Sequence, residues 1–349
     1  MTRGERLLSG ADGSTRILEI GPGYNPVAPK SAGWNTHVVD HASRDELRAK
    51  YAGAPVNVDC IQNVDSIWDD GPLHKAIQSD LHGKFDLLIA SHVLEHLPDL
   101  VGFLASAAIL LKPDGAISLA IPDKRYCFDY FKPLSTTGDV LDAFRAQRTR
   151  HTFRSNWNHV AYATRMDGLE AWGQHAVNRP EFIVPFAEAA RFFETPADEN
   201  SATYTDCHAW QFSPASFRLI MFELAQLGVS DWRLHEPTGS EGCEFLVCLR
   251  RGIDRMVDPQ AIQQHRMSLL REQLIEMQDQ LIFAIQGGLL PSRDPLSAEV
   301  IERIVEQVRQ LGQRLDSVDH RLSYFQALLG RIAQWLTPFR VVRRIARLR

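Results

Sequence analysis

Short apolar runs alternate with amphipathic stretches over the first 121 residues. Residues 17–20, 37–39, 64–67, 85–90 and 116–121 read as strands, and 85–90 is close to an unbroken apolar run. Such runs belong to strands covered on both faces. Between them, residues 44–51, a stretch carrying Leu73, Ile77 and Leu81, and residues 101–111 read as helices. This alternation predicts a doubly wound α/β sheet. Farther on, residues 214–227 place Phe217, Ile220, Met221 and Leu224 on one helical face, with Ser213 as N-cap and Pro214 at the first helical position. Residues 232–235 and 244–249, joined by a short Pro/Gly-rich turn, suit an antiparallel pair that closes a seven-stranded sheet.

Two regions depart from this rhythm. Residues 122–213 are too long for a plain loop and carry His151, Trp157, His159, Tyr162, Trp172 and His175. They begin at the carboxyl end of the fifth strand, so they are expected to form a helical insertion that binds the acceptor. After residue 253 the pattern becomes helical. Met267, Leu270, Leu274, Met277 and Leu281 make a short repeat, broken by Gly287, Gly288, Pro291 and Pro295. A stronger seam follows, with apolar residues at both heptad positions from Ile301 to Leu336. A sustained 3.5-residue period predicts a coiled coil and a homo-oligomer. The expected division is therefore 1–253 for the enzyme, 254–336 for the coiled coil and 337–349 for a tail.

Composition narrows the class. A net charge of −5 over 349 residues leaves no nucleic-acid footprint. The five cysteines have no metal-ligand spacing, so no metal is expected and the thiols read as reduced. The amino terminus lacks the apolar core of a secretion signal, and no window approaches a membrane span, which favours a cytoplasmic protein. The tail holds five arginines and no acid from Arg340 onward, interleaved with apolar residues. It reads either as a solvated basic end or as a peripheral anchor on the anionic inner face of the cytoplasmic membrane.

The first strand runs into Gly21-Pro22-Gly23, and the second ends on Asp40. A strand followed by a glycine turn opens a nucleotide pocket, and a carboxylate at the end of the next strand accepts from a ribose diol. A nicotinamide site requires a third glycine where Pro26 stands. The segment I-L-E-I-G-P-G resembles the first motif, E-x-G-x-G, of the class I S-adenosylmethionine-dependent methyltransferases. That resemblance gives Glu19 its place in the motif, and Asn25 departs from it where many members have a further glycine. It puts Asp65 near the adenine. It also matches Ser91-His92-Val93-Leu94-Glu95-His96 to a recurrent S-x-V-L-E-H stretch, so that Ser91, His92 and Glu95 line the cofactor pocket. The same residues spell H-x-x-E-H, an inverted zinc-protease motif, but they follow a parallel strand in the ligand crevice. The turn L-K-P-D-G before the fifth strand is a further family feature.

The resemblance implies S-adenosylmethionine as cofactor, a Rossmann-like fold and methyl transfer. The segment I-P-D-K-R-Y-C-F-D-Y-F is similar to one in bacterial methyltransferases found with cell-surface polysaccharide enzymes, which implies a sugar or glycan precursor as acceptor. Another small metabolite, or a non-catalytic cofactor-binding module on a coiled-coil scaffold, are the alternatives. A sugar hydroxyl needs a base near neutral pH, and His159, His208 and the Asp123 carboxylate are the candidates.

Overall fold

The computed structural model describes residues 1–174, 178–194, 206–235, 239–252 and 255–290, with Arg303 and Glu306 alone beyond them. His175, the heptad seam from Ile301 to Leu336 and the arginine-rich tail thus lie outside the described residues.

The chain opens with α1 (Arg3–Leu7), β1 (Arg16–Ile20), β2 (Asn35–Asp40), α2 (Arg44–Lys50), β3 (Ser66–Ile67), β4 (Phe85–Ser91), α3 (Leu100–Leu110) and β5 (Leu111–Pro122). The insertion follows as α4 (Thr137–Arg145), α5 (Phe153–Tyr162), a hairpin of β6 (Thr164–Arg165) and β7 (Glu181–Phe182), and α6 (Phe186–Glu194). Then come α7 (Pro214–Leu227), β8 (Trp232–His235), β9 (Ser240–Glu241), β10 (Glu244–Arg251) and α8 (Pro259–Gln286). The main sheet runs in the order β3-β2-β1-β4-β5-β10-β8, parallel from β3 to β5 and antiparallel at β10 and β8. It is a Rossmann-like α/β sheet. The expected seven strands are present, and β9 adds a short eighth beside β10.

Burial explains the strands. Ile17, Leu18, Leu88, Ile89, Ile117 and Leu119 are fully buried, because helices and turns cover both faces. Beneath the sheet, α3 contributes Phe103, Leu104, Ala107 and Leu110, and the Asp99 carboxylate caps its first turn at Gly102 N. Ser213 caps α7 as its sequence implies, and all four residues of the expected apolar face are buried.

One expected helix is absent. Leu73 and Ile77 are buried as anticipated, but Leu73 starts a 3₁₀ turn (Leu73–Lys75) and Ile77 lies between it and a second (Ser79–Leu81), with no α-helix. The β1–β2 crossover also has no α-helix, only the turn Lys30–Ala32. Pro22, Pro26 and Pro29 remove the amides that a helix there would need.

The compact unit extends to Leu289, and residues 290–349 form a second one. This corrects the expected boundary at residue 253, because α8 packs on the enzyme. Leu269, Phe283 and Ala284 are buried, each large apolar side chain contributing about 1.5–3 kcal/mol. Glu276 accepts from the Ala215 amide at the start of α7, and Arg266 pairs with Glu223 at 2.7 Å. The repeat residues Met267, Leu270, Leu274 and Leu281 instead face outward and are exposed. No helix among the described residues is long and apolar enough to cross a membrane.

Candidate active site

The turn after β1 is built for close approach. Gly21 and Gly23 have φ of +59° and +50°, a left-handed conformation that side chains resist. A Cβ on Gly21 would meet Val93 Cγ2 at 2.9 Å, so the segment after β4 lies directly against this turn. The Gly23 amide donates to Asp40 Oδ2 at 3.2 Å, which brings the end of β2 to the same place. Asp40 is buried, and its other oxygen accepts from the His41 amide at 2.8 Å. Tyr51 closes the far side: its ring is the nearest neighbour to a Cβ at Gly23 and packs edge-on against Tyr24.

The other residues assigned to the cofactor act less directly. Glu19 is buried, and its oxygens accept from the amides of Val27 and Ala28 at 2.5 and 3.2 Å. It fastens the loop back onto β1, and burial raises its carboxyl against these bonds. Asn25 sits in a turn, its amide donating to Pro22 O. Asp65 accepts from the Val38 amide and Lys30 Nζ, which ties the start of β3 to β2. Ser91 Oγ accepts from Arg3, which also grips Glu244 at 2.5 Å. His92 has φ +54°, strained for a side-chain-bearing residue, and its Nε2 lies 2.7 Å from Glu244 Oε2. Burial opposes ionisation of Glu244, but His92 and Arg3 draw its carboxyl down to about 2.

A second group lies beside this turn. Glu95 is 1% exposed, and neither carboxylate oxygen has a hydrogen-bond partner among the described residues. Its Oε1 is 3.8 Å from His96 Nε2 and 3.9 Å from His208 Nε2. The Nδ1 of each ring is held by a carboxylate, His96 by Asp206 at 2.7 Å and His208 by Asp129 at 2.5 Å. Asp129 also meets the fully buried Lys132 at 2.5 Å. Burial alone would raise the Asp129 carboxyl, but His208 and Lys132 hold it well below the usual range. His159 and His151 complete the group. Burial, with Lys132 next for His159 and His96 next for His151, lowers both rings to about 4. The two groups adjoin, since Val93, which packs against Gly21, stands two residues before Glu95.

The Asp123 carboxylate, expected as a candidate base, is already engaged. It is wholly buried and is taken up by Arg125 and by the Ser240 hydroxyl. His159 and His208 come together as candidates, while Glu95 turns to the histidines and not to the glycine turn. Sequence reasoning passed over Asp129, Lys132, Tyr51 and Asp206. Unlike these, His96 carried a local signal, as the last residue of H-x-x-E-H.

Residues 2–174 match the family model described as a methyltransferase domain. The chain carries a methyltransferase domain, and its cofactor is S-adenosylmethionine. No curated protein sequence matches the chain. Among solved structures, the chain is similar to a Rhodobacter sphaeroides protein described as a zinc-dependent alcohol dehydrogenase, at 11% identity and TM-score 0.39, covering 71% of this chain and 89% of that one. It is also similar to the CcbJ methyltransferase of Streptomyces caelestis (14% identity, TM-score 0.35, 72% and 97% covered). A third is an S-adenosylmethionine-dependent methyltransferase of Aquifex aeolicus (13%, 0.34, 71% and 88%). Likenesses this weak add nothing to the topology. The residues of the methyltransferase domain fit its cofactor: the Gly21–Gly23 turn leaves room that a Cβ would fill, and Asp40 presents a buried carboxylate beside it.

Proposed function

We propose that the enzyme methylates a hydroxyl oxygen on a sugar or glycan precursor of the bacterial cell surface. The observation that carries this reading is the histidine group beside the cofactor turn, opening on a polar cavity of about 320 Å³. Arg150, His151, Asn158, His208 and Gln211 are among its lining residues. A polar, hydrogen-bonding wall of this kind suits a polyhydroxylated acceptor better than an apolar one. The similarity of residues 121–131 to polysaccharide-associated methyltransferases points the same way.

S-adenosylmethionine supplies a methyl group already activated on a sulfonium, so the protein's part is to position the acceptor and take its proton. Asp129 fixes the His208 ring, and Asp206 fixes His96. His159 is the base in this reading. Its Nδ1 has no partner among the described residues, and a ring lowered to about 4 is neutral at pH 7 and free to accept. The exposed stripe on α8 supports self-association through α8 and residues 295–336, and multiple copies of the arginine-rich tail would add avidity for an anionic bilayer.

The test is transfer of labelled methyl from the cofactor into fractionated cell-envelope glycans, followed by analysis for methylated sugars. Incorporation that His159→Gln abolishes, with cofactor affinity kept, supports the reading. Cofactor binding with no transfer to any glycan favours the non-catalytic alternative.

A further inference from the structure

Glu95 poses a question that methyl transfer does not answer. A carboxylate buried to 1% exposure with both oxygens unpartnered is costly to maintain. The surroundings offer imidazole nitrogens at distances too long for hydrogen bonds: His96 Nε2 at 3.8 Å, His208 Nε2 at 3.9 Å and His92 Nδ1 at 3.7 Å. Oxygen and nitrogen at this spacing are what remains around a cation position. Ligand atoms of Glu95, His96 and His208 all lie within 4.8 Å of one another.

The surrounding residues agree. A metal-bound histidine usually donates its other ring N–H to a carboxylate, which fixes the tautomer and turns the free nitrogen to the ion. Both histidines here do so, His96 toward Asp206 and His208 toward Asp129. Two imidazoles and one carboxylate, with no thiolate in the group, suit a divalent transition-metal ion of the zinc type. Such an ion holds its donors at ~2.1 Å and hence ~3.4 Å apart, so Glu95 Oε1 would close on each imidazole from 3.8 and 3.9 Å, and the two imidazoles on each other from within 4.8 Å.

We infer that Glu95, His96 and His208 form a binding site for one divalent transition-metal ion, with His208 shared with the wall of the acceptor cavity. This departs from the expectation that the chain holds no metal. It also differs from the H-x-x-E-H reading: His92 and His96 are not paired on a helix, and the third ligand, His208, comes from the far end of the insertion. With three protein ligands, the ion keeps open positions for an oxygen of the acceptor. That last role rests on the function proposed above; ion binding does not.

The experiment uses the full chain, stripped with a chelator and titrated with ZnCl₂ by calorimetry and with CoCl₂ by visible absorption. One ion per chain is expected, together with cobalt bands of low-symmetry coordination. Glu95→Gln and His96→Gln should each weaken binding at least 100-fold, and Asp206→Asn, one shell out, 10–100-fold. His82→Ala, outside the group, should leave binding at wild-type strength. Circular dichroism and cofactor affinity verify that each variant is folded. Absence of a bound ion in the wild-type chain, or equal affinity in folded Glu95→Gln and His96→Gln, overturns the site. A bound ion without methyl transfer to any glycan upholds the site and counts against the acceptor alone.

Discussion

The Nδ1 of His208 lies 2.5 Å from Oδ2 of Asp129, a residue from the start of the insertion that orients a ring from near its end. The same carboxylate neutralises Lys132, which has no exposed side-chain surface. Asp129→Asn therefore strands a buried ammonium, and we expect a loss of about 3–5 kcal/mol in unfolding free energy. Adding Lys132→Met should restore most of it, since the unpaired charge is gone. Denaturant unfolding of the single and double variants measures this. A double variant as unstable as the single one would show that Asp129 matters for another reason.

Gly21→Ala should weaken cofactor binding at least tenfold. The added Cβ meets Val93 Cγ2 at 2.9 Å, and the residue would hold φ +59° at a cost of about 1–2 kcal/mol. Val93→Ala in the same chain should recover only the steric part. Calorimetry with S-adenosylmethionine reads both, and full recovery would mean that backbone strain contributes nothing.

Asp40→Ala should cost about 1–3 kcal/mol of cofactor affinity, the penalty for leaving buried polar groups unmet. The variant should still fold, because the β1–β2 pairing runs through backbone atoms. Wild-type affinity in this variant would remove Asp40 from the ribose.

His151 and His159 make stability fall with acidity. Burial lowers both rings from the usual 6.5 to about 4, with Lys132, His208, Asp129 and His96 around His159, and His96, Asp206 and His208 around His151. Above pH 6.5 both are neutral whether folded or unfolded, so they add no slope. As the pH falls from 6.5 towards 4 the unfolded chain binds more protons, and stability is lost across that window. Replacing both by Gln should flatten the melting temperature between these limits. If His159 is the base, the acid limb of kcat lies near 4 and not 6.5. A limb near 6.5 would transfer the role to another group.

The outward stripe of α8 predicts self-association. Leu270→Asp with Leu274→Asp, both exposed in the folded chain, should lower the mass seen by light scattering and leave cofactor affinity intact. A wild-type chain that is already monomeric would show that the stripe has another partner.

Much of the sheet was legible before any coordinates. The runs at 17–20 and 85–90 became β1 and β4, and Ser213-Pro214 started α7, because burial on two faces and helix capping leave marks within a few residues. The Gly21–Gly23 turn was legible for the same reason: a backbone conformation that excludes Cβ selects its own residue. The α8 repeat was legible as an apolar stripe, but periodicity does not report what a face touches. The enzyme took the opposite side, through Leu269, Phe283 and Glu276.

The histidine group was decided only by the tertiary structure. No local pattern marks Asp129 as the partner of His208, or Asp206 as the partner of His96, and Asp123 looked as available as either until Arg125 and Ser240 claimed it. The sequence by itself determined the alternation of strands and helices, the cofactor turn and the cap that starts α7. Which side chains meet above the sheet depended on where the insertion returns. Strand and cap signals arise from interactions within a few residues, whereas a polar pair across 79 residues exists only once the chain between them has folded back.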